Sequence, residues 1–184
     1  GTGYYLARAL DRLGGAALGM GAEISAPAAR RLARAHPDVA AVVCDTWEPL
    51  PVADGALDGL FVVFAPRNPA EFARVLRPGG VAVVVVPGEG HLEPLRTRLG
   101  MLGAEPGKDE RLADDFAGWE SVGETSVDRT LDLTSDAARD LALMGPSGVH
   151  LDGDELDAAL GRVFDDGVVR ARLHVSVRTF RRPE

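Results

Sequence analysis

The sequence predicts an α/β fold, a mostly parallel sheet with helices on both faces. Three observations predict it. Helix-like and strand-like segments alternate from Gly1 to Pro87. The strand segment Leu57 to Phe64 is too apolar to have a wet face, as in a sheet covered on both sides. Two of the early strands end in an acidic residue, Glu23 and Asp45, at the sheet edge where open α/β folds bind ligands.

The elements follow in order. Gly1-Thr2-Gly3 is a glycine turn that opens a helix from Tyr4 to about Leu13. Such a turn normally follows a buried strand. A central first strand is therefore expected upstream of Gly1, between the strand ending near Ala22 and the one ending near Phe64. Residues 16–22 read as a short buried strand closing at Glu23. Ser25 caps a helix with Pro27 in its first turn, and His36-Pro37-Asp38 stops it. Val39 to Cys44 is the next strand, closing at Asp45. A loop rich in turn residues runs from Thr46 to Asp58 and leads into the Leu57–Phe64 strand. Asn68 or Pro69 starts a helix with Phe72, Val75 and Leu76 on one side. Arg77-Pro78-Gly79-Gly80 ends it, and Val81–Val86 is a strand.

The second half is less regular. A helix is expected over Glu89–Leu102, and residues 104–118 are polar, acidic and weakly patterned, a solvated stretch or a cover. Ser121–Leu133 alternates like a strand. Ser135 caps a helix to Leu143, Gly145-Pro146-Ser147-Gly148 is a loop, and Asp152 caps a helix to about Val163. In Val168–Phe180, Val169, Ala171, Leu173, Val175 and Val177 alternate with Arg170, Arg172, His174, Ser176 and Arg178. With 184 residues, 46% apolar and 26% charged, the chain is expected to form one domain, 1–184.

Composition excludes some functions. A net charge of -8 weighs against non-specific nucleic-acid binding by the whole surface, though it leaves room for a local basic face. The arginines of the last strand, with Arg181 and Arg182, would supply one, but a solvated strand face is the commoner reason for such a pattern. One cysteine, Cys44, excludes an internal disulfide and a zinc site built on several cysteines. The longest apolar run, Val81 to Pro87, is too short to span a bilayer, so no membrane partner is expected.

Gly1-Thr2-Gly3, Glu23 and Asp45 form the candidate site. An acidic residue about 20 positions past a glycine turn suits a ribose diol, which offers two O–H donors. A second acid one strand further could take the exocyclic amine of adenine. Each residue alone has an ordinary explanation: a tight turn, a surface acid, a loop cap. Together at neighbouring strand ends they describe an adenosine-bearing cofactor. Leu6 stands where the dinucleotide fingerprint needs glycine or alanine, which turns the site away from a pyrophosphate. Trp47 and Trp119 could stack on a base, although core packing is the commoner use of an aromatic.

These residues carry a resemblance. Gly-Thr-Gly-Tyr-Tyr, Glu23-Ile24-Ser25, Asp45, Leu50-Pro51-Val52-Ala53-Asp54 and Leu76-Arg77-Pro78-Gly79-Gly80 look like a class I S-adenosylmethionine-dependent methyltransferase. Phe64-Ala65-Pro66, the run Glu71 to Gly80, Pro87-Gly88-x-x-His91-Leu92 and Met144-x-Pro146 are similar to the bacterial 23S rRNA (guanine-N1)-methyltransferases, a family that includes macrolide-resistance enzymes. The resemblance implies a Rossmann-like fold with an antiparallel last strand, and S-adenosyl-L-methionine as cofactor. It implies cofactor binding by Gly1, Thr2, Gly3, Tyr4, Glu23, Ile24, Asp45, Thr46 and Phe64. It places Ala65 and Pro66 at the target pocket and makes His91 the best polar candidate there, with a surface or capping role for His91 equally expected. A 23S rRNA stem-loop is the implied partner, a homodimer could span it, and the location is the cytoplasm. The family's zinc module is not in this sequence, so zinc is expected only in a module upstream. Gly90 stands where the family often has arginine. Two other readings compete: a small-molecule methyltransferase of natural-product tailoring, and a cofactor-binding remnant without catalysis.

Overall fold

The computed structural model of the chain describes residues 1–15, 17–101, 108–144, 152–164 and 168–184. Local punctuation starts most of its elements. Gly3 takes φ 88°, a left-handed conformation that favours glycine, and caps α1 (Tyr4–Leu13). After β1 (Gly19–Glu23), the Ser25 hydroxyl accepts the Ala28 N–H and starts α2 (Ala26–Leu32). β2 (Val39–Val43) pairs in parallel with β1, with Glu23 beside Val43. β3 (Leu57–Val63) leads to α3 (Pro69–Val75), which Asn68 caps, and then to β4 (Leu76–Pro87). The second half contains α4 (Leu95–Arg98), α5 (Lys108–Asp115), β5 (Glu120–Leu133), α6 (Ser135–Met144), α7 (Gly153–Val163, capped by Asp152) and β6 (Val169–Arg181).

Three boundaries differ from the sequence reading. Arg77-Pro78-Gly79-Gly80 already belongs to β4. Gly79 N–H donates to Arg182 O at 3.1 Å, and Arg182 N–H donates to Gly80 O at 2.8 Å. The helix expected over Glu89–Leu102 shrinks to α4. Gly90 and Leu92 take φ 69° and 61°, and Gly88 and Leu92 donate their N–H groups to His174 O and Arg172 O instead of to a helix. The stretch read as weakly patterned contains α5, whose Leu112 is fully buried. The expected loop 145–148 and the Pro146 of the Met-x-Pro element lie outside the described residues.

Strand order is β1-β2 in one sheet and β3-β4-β6-β5 in the other. β6 runs antiparallel to β4, since position 79 or 80 bonds to 182 and position 88 bonds to 174. Among the described residues the two sheets share no ladder. The chain divides into two compact units, 1–83 with 113–121 and 180–184, and 84–112 with 122–179. In the first, Leu10, Leu32 and Val39 bury one core, and Phe116 stacks on Phe180 with centroids 4.3 Å apart. Trp119 packs edge-on against Phe116, so packing rather than ligand stacking accounts for it. In the second, Leu92, Leu95, Leu99, Leu133, Leu156 and Leu160 form the core with Val169 and Ala171 of β6. Among the described residues, no helix is long and apolar enough to cross a membrane.

The β1–α2 contact is tight. A Cβ on Gly21 would stand 2.5 Å from Leu32 Cδ2, inside van der Waals contact with a buried side chain. Gly21→Ala is therefore expected to destabilise the protein by about 1–3 kcal/mol, as overpacking of a core does, measured by urea denaturation.

Candidate cofactor site

Parallel pairing sets the first part of the site. β1 and β2 end level, and the ladder continues one step through Cys44 N–H to Glu23 O at 3.2 Å. The Glu23 carboxylate turns toward the glycine turn: one oxygen accepts from the Gly1 nitrogen and the other accepts Ser25 N–H at 2.8 Å. Gly1 has open space where a side chain would be, whereas a Cβ on Gly3 would stand 2.7 Å from Leu32 Cδ1. Gly3 thus serves the close packing of the turn against Leu32 and Ala35. Thr2 and Tyr4 are exposed beside them.

One strand over, Asp45 Oδ1 accepts Trp47 N–H at 2.9 Å, an Asx turn that starts the following loop. Ile24, Trp47 and Phe64 are 67%, 63% and 53% exposed, an unusual degree for large apolar side chains at strand ends. Thr46 is half-buried. Phe64 takes φ 50°, so β3 ends in a sharp kink, and Ala65 and Pro66 lie exposed on the bend beyond it. The structure therefore brings the glycine turn to Glu23 directly, and sets Asp45 and Thr46 on the neighbouring strand end.

A second layer of residues escaped the sequence reading. Asn68 Nδ2 donates to Thr46 O at 3.1 Å and Trp47 O at 3.4 Å. Glu71 accepts Leu50 N–H at 2.8 Å. Arg74 donates to Leu50 O, Val52 O, Asp54 and both oxygens of Glu71, at 2.7–2.9 Å. Hydrogen bonds from Arg74, then from Leu50 N–H, lower the Glu71 pKa from 4.5 to about 2, and Arg74 is shifted further up. The signal was available as Asn-x-x-Glu-x-x-Arg on one helix face, but nothing local marks the loop as its partner.

His91 belongs to the second unit. Its Nδ1 accepts the backbone N–H of His174 at 3.2 Å, which puts the ring proton of neutral His91 on Nε2. The His174 ring donates from Nδ1 to Glu89 O at 2.8 Å and reaches Ser126 Oγ at 3.2 Å through Nε2. A Cβ on Gly88 would stand 2.7 Å from that ring, so glycine is needed there. At Gly90 the Arg172 guanidinium fills the nearby space, with Nη1 3.0 Å from a built Cβ. The expected basic face of β6 is largely paired. Arg170, Arg172 and Arg178 meet Asp132, Asp128 and Glu124 of β5, and in the first unit Arg181 meets Glu120. Among the described residues, no group of three or more His, Cys, Asp or Glu could hold a metal ion.

This fold is the Rossmann-like fold of class I methyltransferases. It is shared with a Bacillus halodurans protein provisionally classed as a methyltransferase, with TM-score 0.57, 14% identity, and 90% of this chain and 83% of that one covered. It is shared too with geranyl diphosphate C-methyltransferase of Streptomyces coelicolor, solved with S-adenosyl-L-homocysteine, with TM-score 0.53, 18% identity, and 99% and 69% covered. In sequence the chain is related to the 23S rRNA (guanine-N1)-methyltransferases. It is 46% identical over 157 residues to the 23S rRNA (guanine(748)-N(1))-methyltransferase of Streptomyces fradiae, covering 85% of this chain and 56% of that protein. It is 43% identical over 177 residues to a Micromonospora griseorubida protein provisionally named 23S rRNA (guanine-N(1)-)-methyltransferase, covering 96% and 60%. The chain thus spans about three fifths of the length of these curated relatives. No family model matches it.

Because its pKa in the fold lies below 4.5, Glu71 contributes stability above that value, and the contribution is lost as pH falls toward about 2. Stability from urea melts at stepped pH is therefore expected to fall less steeply below pH 4.5 in Glu71→Gln than in the parent.

Proposed function

We propose that this chain is the methyl-transfer domain of an S-adenosylmethionine-dependent enzyme that methylates guanine N1 in a 23S rRNA hairpin. The observation that carries the reading is 46% identity to the Streptomyces fradiae enzyme across 85% of the chain. The strand-end residues fit the cofactor. Gly1 presents backbone without a side chain, Glu23 is an ionised acceptor suited to a ribose diol, and Ile24 and Phe64 offer exposed apolar surface. Asp45 Oδ1 is engaged by Trp47 N–H, so any contact it makes with adenine is shared with that turn.

Bound S-adenosylmethionine would supply an electrophilic methyl group on a sulfonium sulfur. The protein's own part is to hold the acceptor nitrogen in line and to exclude water. On the same resemblance, the Ala65 carbonyl and Pro66 shape the target pocket, and His91 makes a polar contact with the acceptor. The same proposal includes zinc held only outside this chain, a stem-loop partner, a homodimer, a cytoplasmic location and a part in macrolide resistance.

One observation favours the small-molecule alternative. The arginines of β6 are met by acids of β5, and the chain carries a net charge of -8, so this face offers phosphates little attraction.

Incubation with methyl-labelled cofactor and a 23S rRNA hairpin is expected to label the RNA, with reverse transcriptase halting at one guanine because N1 methylation blocks base pairing. Label that never enters RNA sinks the rRNA reading. Glu23→Gln is expected to weaken S-adenosylhomocysteine binding roughly tenfold to a hundredfold, the range for a hydrogen bond to a charged group.

A further inference from the structure

The backbone between β2 and β3 carries Thr46 and Trp47 at the candidate site, and one face of α3 holds it. Asn68, Glu71 and Arg74 recur at three-residue spacing, which places them on one side of the helix. Their polar atoms meet the loop at Thr46 O, Trp47 O, Leu50 N–H, Leu50 O and Val52 O, and at the Asp54 carboxylate. Arg74 O closes the far end by accepting Gly55 N–H at 2.8 Å. The hold thus runs from the first loop residue after Asp45 to the last turn before β3.

We infer that Asn68, Glu71 and Arg74 are positioning residues for the adenosyl group: by holding the loop backbone they set where Asp45, Thr46 and Trp47 stand relative to Glu23. This rests on the adenosyl reading of the strand ends given above. The three residues act through the loop and not on the ligand. Asn68 has two separable jobs. Its Oδ1 accepts Glu71 N–H at 3.4 Å as the helix cap, while Nδ2 holds the loop. Serine keeps a capping oxygen and loses both loop bonds. Arg74 reaches several acceptors with a planar fork, and lysine keeps its charge but cannot span them.

The test is calorimetric titration of S-adenosylhomocysteine, and separately of 5′-methylthioadenosine, into the full chain and its Asn68→Ser and Arg74→Lys variants, with thermal melts alongside. Asn68→Ser is expected to stay folded and to melt only slightly below the parent, because the cap is kept. Both variants are expected to bind both ligands about tenfold more weakly, by the loss of one or two hydrogen bonds' worth of positioning. The factor should be the same for the two ligands, because they share only the adenosine end. A purely structural role would lower the melting temperature without changing the affinity of the folded protein. Folded variants that bind as tightly as the parent overturn the inference and leave the adenosyl reading intact. A parent that binds neither ligand overturns both. If Arg74→Lys fails to fold, Asn68→Ser decides.

Discussion

The fork between Arg74 and Glu71 is the interaction on which this half of the molecule depends. The segment from Thr46 to Ala56 carries apolar side chains such as Trp47, Leu50 and Val52, but none of its residues is buried. A loop of that length gains little from hydrophobic cover to offset the entropy of ordering it. Its backbone must be held by polar groups instead. Arg74 can do this because a guanidinium directs five donors in fixed directions, and here they meet two carbonyls and two carboxylates. Glu71 completes the arrangement by orienting Arg74 and taking Leu50 N–H. A single helical turn thereby places a loop that would otherwise have many conformations.

What could be read from the sequence was local. The caps at Ser25, Asn68 and Asp152 and the alternation along β6 were legible because each depends on neighbours in the chain. Glu23 and Asp45 were legible as strand-end acids because parallel strands end at one edge. What was missed depends on partners distant in sequence. β4 starts early because Arg182 pairs with Gly79 and Gly80, about a hundred residues away. The segment before α4 is pulled out of helix by Arg172 and His174 in the same way. His174 itself looked like one polar position in an alternating strand. Only the fold shows that its backbone engages His91 and that its ring fills the space beside Gly88.

The acidic composition and the arginine-rich last strand pull the functional reading in opposite directions, and the structure resolves the tension locally. β5 places Glu124, Asp128 and Asp132 where β6 presents Arg178, Arg172 and Arg170. Cross-strand charge pairs of this kind set the register of two antiparallel strands as well as adding stability. The arginines of β6 therefore have a structural occupation, and their abundance is no measure of affinity for phosphate. Recognition of an RNA would have to draw on other surfaces, which makes sequence relatedness, rather than charge, the basis of the substrate proposal. The fold alone would not suffice, since one architecture supports many reactions.

The candidate residues draw on both sheets. Among the described residues, half-buried β1 pairs with β2, and β3 is the edge of the other sheet, with Phe61 and Phe64 about half exposed. Open edges and exposed aromatics are features that folded proteins normally cover. Gly1 and Glu23 belong with β1, and Phe64 follows β3. The candidate residues are thus divided between two sheets that share no ladder among the described residues. The hold of α3 on the loop after β2 fixes the backbone of Thr46 and Trp47 on the β2 side, next in the chain to Asp45.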